Sequence, residues 1–231
     1  MAKTRFYLNE SAATTLTPAF DGSWEQTGQA VRRMMYPYKS NTTLTGMTVT
    51  VPTTTTQDIL ARQYQSPPLR AAINFKTSVQ MSIRCSESLA AANAYLAFVL
   101  RVISGDGQGT VRGTIDSRQT TTGATEFPTT ANAATRIWDI AASANTIYGQ
   151  VGDIIVFEVG VRANSPGSAQ SAVLTFGDNN ANDLPLTSAN TNNYNPWLDL
   201  GMYCFGGFDL QNWTPSALRV GDGMGTTERF R

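Results

Sequence analysis

The side chains that could do chemistry in this chain are few. It contains no histidine, which removes the commonest general base and the commonest transition-metal ligand together. Cys85 and Cys204 are far apart and belong to no Cys-x-x-Cys pair, so free buried thiols are expected in a reducing compartment. Serines are plentiful, but none sits in a Gly-x-Ser-x-Gly elbow, the turn that exposes a hydrolase nucleophile. Spacing singles out no pair of carboxylates for acid–base work on a glycosidic bond. The expectation is a chain with no catalytic residues and no cofactor, not an enzyme.

Three other segments have ligand-like compositions. Gly177-Asp-Asn-Asn-Ala-Asn-Asp183 gathers Asp178, Asn179, Asn180, Asn182 and Asp183, and hard cations such as calcium want several such oxygens. Its spacing lacks the alternating Asp-x-Asp-x-Asp-Gly pattern and closing glutamate, so Asx turns are the simpler reading and no metal is expected. Ser104-Gly-Asp-Gly-Gln-Gly109 is Gly-rich, but no Gly-Lys-Ser/Thr follows it; it reads as a hairpin loop, not a phosphate cradle. Tyr194 and Trp197 could stack on a sugar, although Asn195-Pro-Trp197 leads into an apolar strand, where a buried tryptophan is the expected outcome.

The elements that must position these residues are strands. In Ala71–Cys85, Ile73, Phe75, Val79, Met81, Ile83 and Cys85 alternate with Asn74, Lys76, Ser78, Gln80, Ser82 and Arg84. This predicts a strand of roughly 45 Å, long enough to bend or to serve two sheets. Thr45–Val51, Ala94–Ser104, Asp153–Arg162, Ser171–Gly177 and Trp197–Phe205 read likewise, with Glu158 opposite the apolar face of its strand. Val111–Ile115 and Arg136–Ile140 are weaker strands. Turn signals such as Asn164-Ser-Pro-Gly167 separate them. The expected fold is all-β, an antiparallel β-sandwich of jelly-roll type.

Lys plus Arg and Asp plus Glu both number 17, so net charge is zero. Neutralising DNA phosphates needs a basic excess, so no nucleic-acid partner is expected. No apolar run is long enough for a membrane span or a signal-peptide core, so no membrane partner is expected either. The domain reading is an N-terminal arm over 1–44, a sandwich over 45–205 and a C-terminal extension over 206–231, where Trp213 and Phe230 are isolated aromatics. The arm is expected to hold one short helix over Trp24–Met35, stopped by Pro37. Trp24, Arg32, Arg33, Tyr36 and Tyr38 are its candidate partner-binding residues, because Trp, Tyr and Arg are enriched at binding hot spots.

Several segments resemble, in order, those of a family of tailed-bacteriophage virion proteins. They are Phe20-Asp-Gly-Ser-Trp-Glu-Gln-Thr27 with Arg32-Arg33, Arg62-Gln-Tyr-Gln-Ser-Pro-Pro-Leu69, and Arg101-Val-Ile-Ser-Gly-Asp-Gly107 with Val111-Arg-Gly-Thr114. Gly152-Asp-Ile-Ile-Val-Phe-Glu-Val-Gly160, Phe176-Gly-Asp178 with Asp183-Leu-Pro185, and Asn195-Pro-Trp197 complete the series. The resemblance spans about residues 6–200 and excludes the chain after about Gly201. It implies a structural protein of the virion, made in the host cytoplasm, and supplies no catalytic residues. The leading reading is a capsid decoration or cement protein that binds the major capsid protein or other virion proteins. The alternative is a neck, baseplate or tail-fibre component, with carbohydrate as a second partner class. Self-association is also expected, a trimer being favoured.

Overall fold

The computed structural model describes residues 3–14, 16–51, 55–106, 109–118, 125–140, 146–164 and 168–204. Its strands are β1 (Thr4–Leu8), β2 (Val31–Tyr36), β3 (Thr45–Val51), β4 (Gln57–Gln65), β5 (Ile73–Phe75) and β6 (Val79–Glu87). They continue with β7 (Ala94–Ile103), β8 (Val111–Arg118), β9 (Ala134–Ile140), β10 (Ile147–Gly149), β11 (Ile154–Ala163), β12 (Gln170–Phe176) and β13 (Trp197–Leu200). Helical structure among the described residues is confined to 3₁₀ turns at Ala90–Ala92 and Thr130–Asn132. The all-β class predicted by the alternation is the class observed.

Hydrogen-bonded neighbours run β3-β12-β6-β13-β1-β2-β4-β11-β7-β8, with β9 on the other edge of β6 and β5 paired separately with β10. β2 is the corner. Its end pairs antiparallel with β1 through Met35 and Tyr36, while Val31–Met34 run parallel to β4. The remaining ladders between named strands are antiparallel. One layer therefore carries β3, β12, β6, β9, β13 and β1, and the other β4, β11, β7 and β8. This order is that of an all-β sandwich.

Between the layers lies a core built around Phe6, Met81, Phe98, Phe157 and Phe176. Each such side chain, fully buried, contributes about 1.5–3 kcal/mol. Gly160 shows how tightly the second layer is built. A Cβ there would run into the Ile59 carbonyl, at the point where the β4–β11 register shifts between Val159 and Gly160.

Two expectations change. The long strand over Ala71–Cys85 divides into β5 and β6, because Lys76–Ser78 leave the ladder as the chain passes from one sheet to the other. The inward set holds, with Phe75, Val79, Met81, Ile83 and Cys85 all buried. The helix over Trp24–Met35 is absent. The amides of Glu25 and Gln26 bond instead to the Asp58 carbonyl, Leu60 bonds back to Gln26, and Val31–Tyr36 is β2. The open edge of β4 gives these backbone groups partners, which overrides a weak local helix preference. Residues 4–8 and 31–36 of the expected arm are thus strands of the sandwich, and Phe6, Leu8 and Met35 are fully buried. The C-terminal extension lies outside the described residues.

Candidate functional site

The two outer faces of the sandwich are finished differently. On the β4-β11-β7 layer the outward residues are apolar around a buried polar centre, and Leu16–Ala30 lies across them. Trp24 packs on Leu60, Ala97 and Val99, and Leu16 packs on Ile103, Ile154 and Val156. In the middle stands Glu158, fully buried. Its carboxylate accepts from Trp24 Nε1 at 2.7 Å, Gln63 Nε2 at 2.9 Å, Arg101 Nη2 at 2.5 Å and the Asp21 amide at 3.1 Å. Arg101 also donates to the Ala19 carbonyl and lies 3.6 Å from Asp21 Oδ2. Arg32 extends the network, donating to Gln63 Oε1 at 3.0 Å and to the Pro18 carbonyl at 3.2 Å, with its guanidinium 4.1 Å over the Phe20 ring. A buried charge with this many partners is a structural staple.

On the β13-β1-β2 face, register places Trp197, Tyr7 and Tyr36 side by side and Asp199 beside Arg5. Because Phe6, Leu8 and Met35 point inward, this row points out. Arg5 forks onto Asp199 at 2.8 and 2.9 Å, reaches Asp183 at 3.0 Å, and covers Trp197 at 4.2 Å. Tyr7 donates to Asp183 Oδ2 at 2.9 Å, and Lys39 meets Asp183 Oδ1 at 2.8 Å. Burial alone would push the Asp183 carboxyl up, but Lys39, Asn195, Tyr7 and Arg5 together hold it below the ordinary carboxylate range. Burial, then the hydrogen bond to Asp183, pushes the Tyr7 phenol up. Tyr36 stacks on Tyr38 with centroids 5.1 Å apart, and Tyr38 is 38% exposed. This face therefore presents Tyr, Arg and Lys groups already held in place.

The candidate contact residues divide between the two faces. Trp24 and Arg32 are engaged in the Glu158 network. Arg33 donates to the Glu10 carbonyl at 2.7 Å. Tyr36 and Tyr38 belong to the aromatic face. Arg5, Tyr7 and Lys39 join them there and escaped the sequence reading, although the alternation Arg5-Phe6-Tyr7-Leu8 carried the signal for the first two; Asp183, singled out as part of the acidic loop, is their acceptor. Trp197 is buried and donates Nε1 to the Leu184 carbonyl at 2.6 Å. Tyr194 is half-buried.

The acidic loop is consumed by internal bonds. Asp178, fully buried, accepts from the amide and hydroxyl of both Ser40 and Thr42, at 2.6, 2.8, 2.5 and 2.7 Å. Asn180 Oδ1 accepts from the Asn182 amide at 2.9 Å, an Asx turn. No group of three or more His, Cys, Asp or Glu side chains among the described residues is arranged to hold a metal ion. Both cysteines are free and buried.

No protein-family model matches the chain, and no curated protein matches it. Among solved structures it is similar to a CocE/NonD family hydrolase from Staphylococcus aureus, with 8% identity, a TM-score of 0.46, and 86% of this chain covering 36% of that one. An alpha-amino acid ester hydrolase gives 7% identity and a TM-score of 0.38 over 86% of this chain and 36% of that one. The infectious bursal disease virus VP2 subviral particle gives 15% identity and a TM-score of 0.26 over 68% of this chain and 36% of that one. The chain thus spans about a third of the length of these proteins. The expectation of a chain that is not an enzyme is corrected here, since hydrolases stand among the similar structures.

Proposed function

We propose that this chain is a structural component of a tailed-phage virion, acting as a capsid decoration protein that grips capsid subunits through the Tyr7–Tyr36–Tyr38 face. One observation carries the reading. The segments that resemble phage virion proteins are scattered along the sequence, yet their polar residues meet in space. Asp21, Trp24, Arg32, Gln63 and Arg101 converge on or beside Glu158. Arg112 pairs with Asp153 at 3.1 Å, and the Asp153 carbonyl accepts from the Leu69 amide at 2.7 Å. Asn195 donates to Asp183 Oδ1 at 3.1 Å, and Trp197 bonds to Leu184. The resembling segments therefore supply contacts that hold the sandwich together, as a structural role requires.

The contact role falls to Tyr36 and Tyr38, with Arg5, Tyr7 and Lys39 beside them, while Trp24, Arg32 and Arg33 hold the chain to itself. An amphipathic aromatic surface fixed in advance binds with little ordering cost. The test is particle binding by the full chain and by Tyr36→Ala/Tyr38→Ala, with circular dichroism as the folding control. The expected result is a folded double variant that no longer occupies particles; full occupancy would overturn the assignment of this face. Copy number per virion, by quantitative mass spectrometry, decides location. Hundreds of copies support decoration, and a dozen or fewer place the protein at the neck, baseplate or fibre.

A further inference from the structure

β3 ends the strand order, so one side of it has no strand partner among the described residues. Its register with β12 fixes which backbone groups point which way. The Thr50 amide donates to Gln29 Oε1 at 2.9 Å, and the Thr50 carbonyl accepts from Gln29 Nε2 at 3.2 Å. Thr50 therefore points away from β12, and by the alternation of an antiparallel ladder so do Thr48 and Gly46. Gln29 imitates a neighbouring strand at one position and then stops. At the other end, the Leu44 amide is taken by Asn179 Oδ1 at 3.3 Å. Between these two side-chain amides, Gly46 and Thr48 are exposed, and no described residue pairs with their outward N–H and C=O groups.

We propose that this window is a docking edge for the same strand of a second copy, forming an antiparallel two-fold pair centred on Met47. Centred there, Gly46 of one copy faces Thr48 of the other, and each facing pair exchanges two hydrogen bonds. All four outward groups of each chain are used; Leu44 of each copy then falls opposite Thr50 of the other, where the Asn179 and Gln29 side chains already hold those backbone groups and end the ladder. An isologous contact needs a self-complementary patch, and this one is self-complementary in both bonding and charge. From Ser40 to Gln57 the sequence carries no charged residue, so two copies meet without like-charge repulsion. Lysine or proline, the usual means of blunting an edge, is absent from β3. The exposed side chains across the axis are Gly46 and Thr48, small enough for close approach. A two-fold pair stands here in place of the trimer favoured by sequence.

Sedimentation equilibrium of the full chain, from micromolar to near-millimolar concentration, tests the pairing. The unmodified chain is expected to show a monomer–dimer equilibrium. Thr48→Pro removes an outward donor without touching the β12 ladder, and Thr48→Lys keeps the donor but sets charge against charge. Both are expected to be folded monomers throughout, with Thr48→Lys securing the result if Thr48→Pro fails to fold. Gln29→Ala uncovers Thr50, lengthens the ladder, and is expected to tighten the dimer by about tenfold. A monomeric unmodified chain, or a dimer unchanged in Thr48→Lys, overturns the proposal. A Gln29→Ala dimer no tighter than the unmodified one overturns the edge geometry.

Discussion

Glu158→Gln is the change that most directly tests how the sandwich is held together. The substitution keeps shape and removes charge. Glu158 is fully buried and accepts four donors, one of them the guanidinium of Arg101, whose side chain is 5% exposed. The glutamine amide can still accept at its oxygen, but its NH2 group must face a donor. Two losses follow: a charge-assisted hydrogen bond, about 1.5–3 kcal/mol, and a guanidinium left buried without its main counter-charge. Removing one member of a buried ion pair costs about 3–5 kcal/mol, and Asp21, at 3.6 Å from Arg101, offsets only part of that. The expected destabilisation is about 3–4 kcal/mol, or roughly 10 °C in Tm for a chain of this size. Urea unfolding measures the first and calorimetry the second. In an Arg101→Met background the same substitution is expected to cost at least about 2 kcal/mol less, because no stranded cation remains. A loss under about 1 kcal/mol, or an identical loss in both backgrounds, would refute the staple.

Two further predictions concern titrating groups. Burial, reinforced by Glu126, pushes the Glu87 carboxyl up to about 7 from 4.5, against the opposing Ala94 amide. A raised carboxyl favours the protonated folded state, so its stabilisation is full below about pH 4.5 and is lost as pH rises through 7. A rise of that size corresponds to about 3 kcal/mol, trimmed by solvent screening beside half-buried Glu126 to about 1–2 kcal/mol. Glu87→Gln should flatten that part of the pH–stability curve measured by urea unfolding, and an unchanged slope would count against the pair. Burial pushes the Cys85 thiol up strongly and the Cys204 thiol to about 12. A thiol reagent should therefore label neither in the native chain and both in denaturant; rapid native labelling would contradict their burial.

Much of the fold was legible because alternation is a one-residue signal. β3, β7, β11 and β12 lie within a residue or two of where period-two patterning puts them. β4 was missed for the opposite reason. From Asp58 to Gln65 every residue is buried, so the run carries no period-two alternation, and its polar Arg62, Gln63 and Gln65 are covered by other parts of the chain. Ser82, on the expected wet face of β6, is likewise buried, its hydroxyl donating to the Pro185 carbonyl at 2.9 Å. The same blindness produced the false helix. Residues 24–35 carry little local preference, and the edge of β4 that captures them is some 30 positions away in sequence. As for the site, residue type pointed to Tyr36 and Tyr38; alternation could put Arg5 and Tyr7 on one face of a strand, but only register sets that strand beside Tyr36.

Under the proposed function, the two outer faces separate stability from recognition. On the β4-β11-β7 side the outward residues include Leu60, Val99, Ile103 and Val156, and exposing that much apolar surface would be costly, so the chain covers it with its own residues 16–30. On the β13-β1-β2 side the outward row of Trp197, Asp199, Arg5 and Tyr7 is satisfied by its own members and by Asp183 and Leu184, which leaves Trp197 and Asp199 buried while Arg5, Tyr7, Tyr36 and Tyr38 keep exposed area. A partner arriving there displaces no part of the protein and meets side chains whose geometry is already set. Rigid presentation lowers the ordering cost of association. The Glu158 staple and the tyrosine face are therefore separable by mutation: loss of the first lowers the melting temperature without reshaping the second, and loss of the second abolishes contact without lowering the melting temperature.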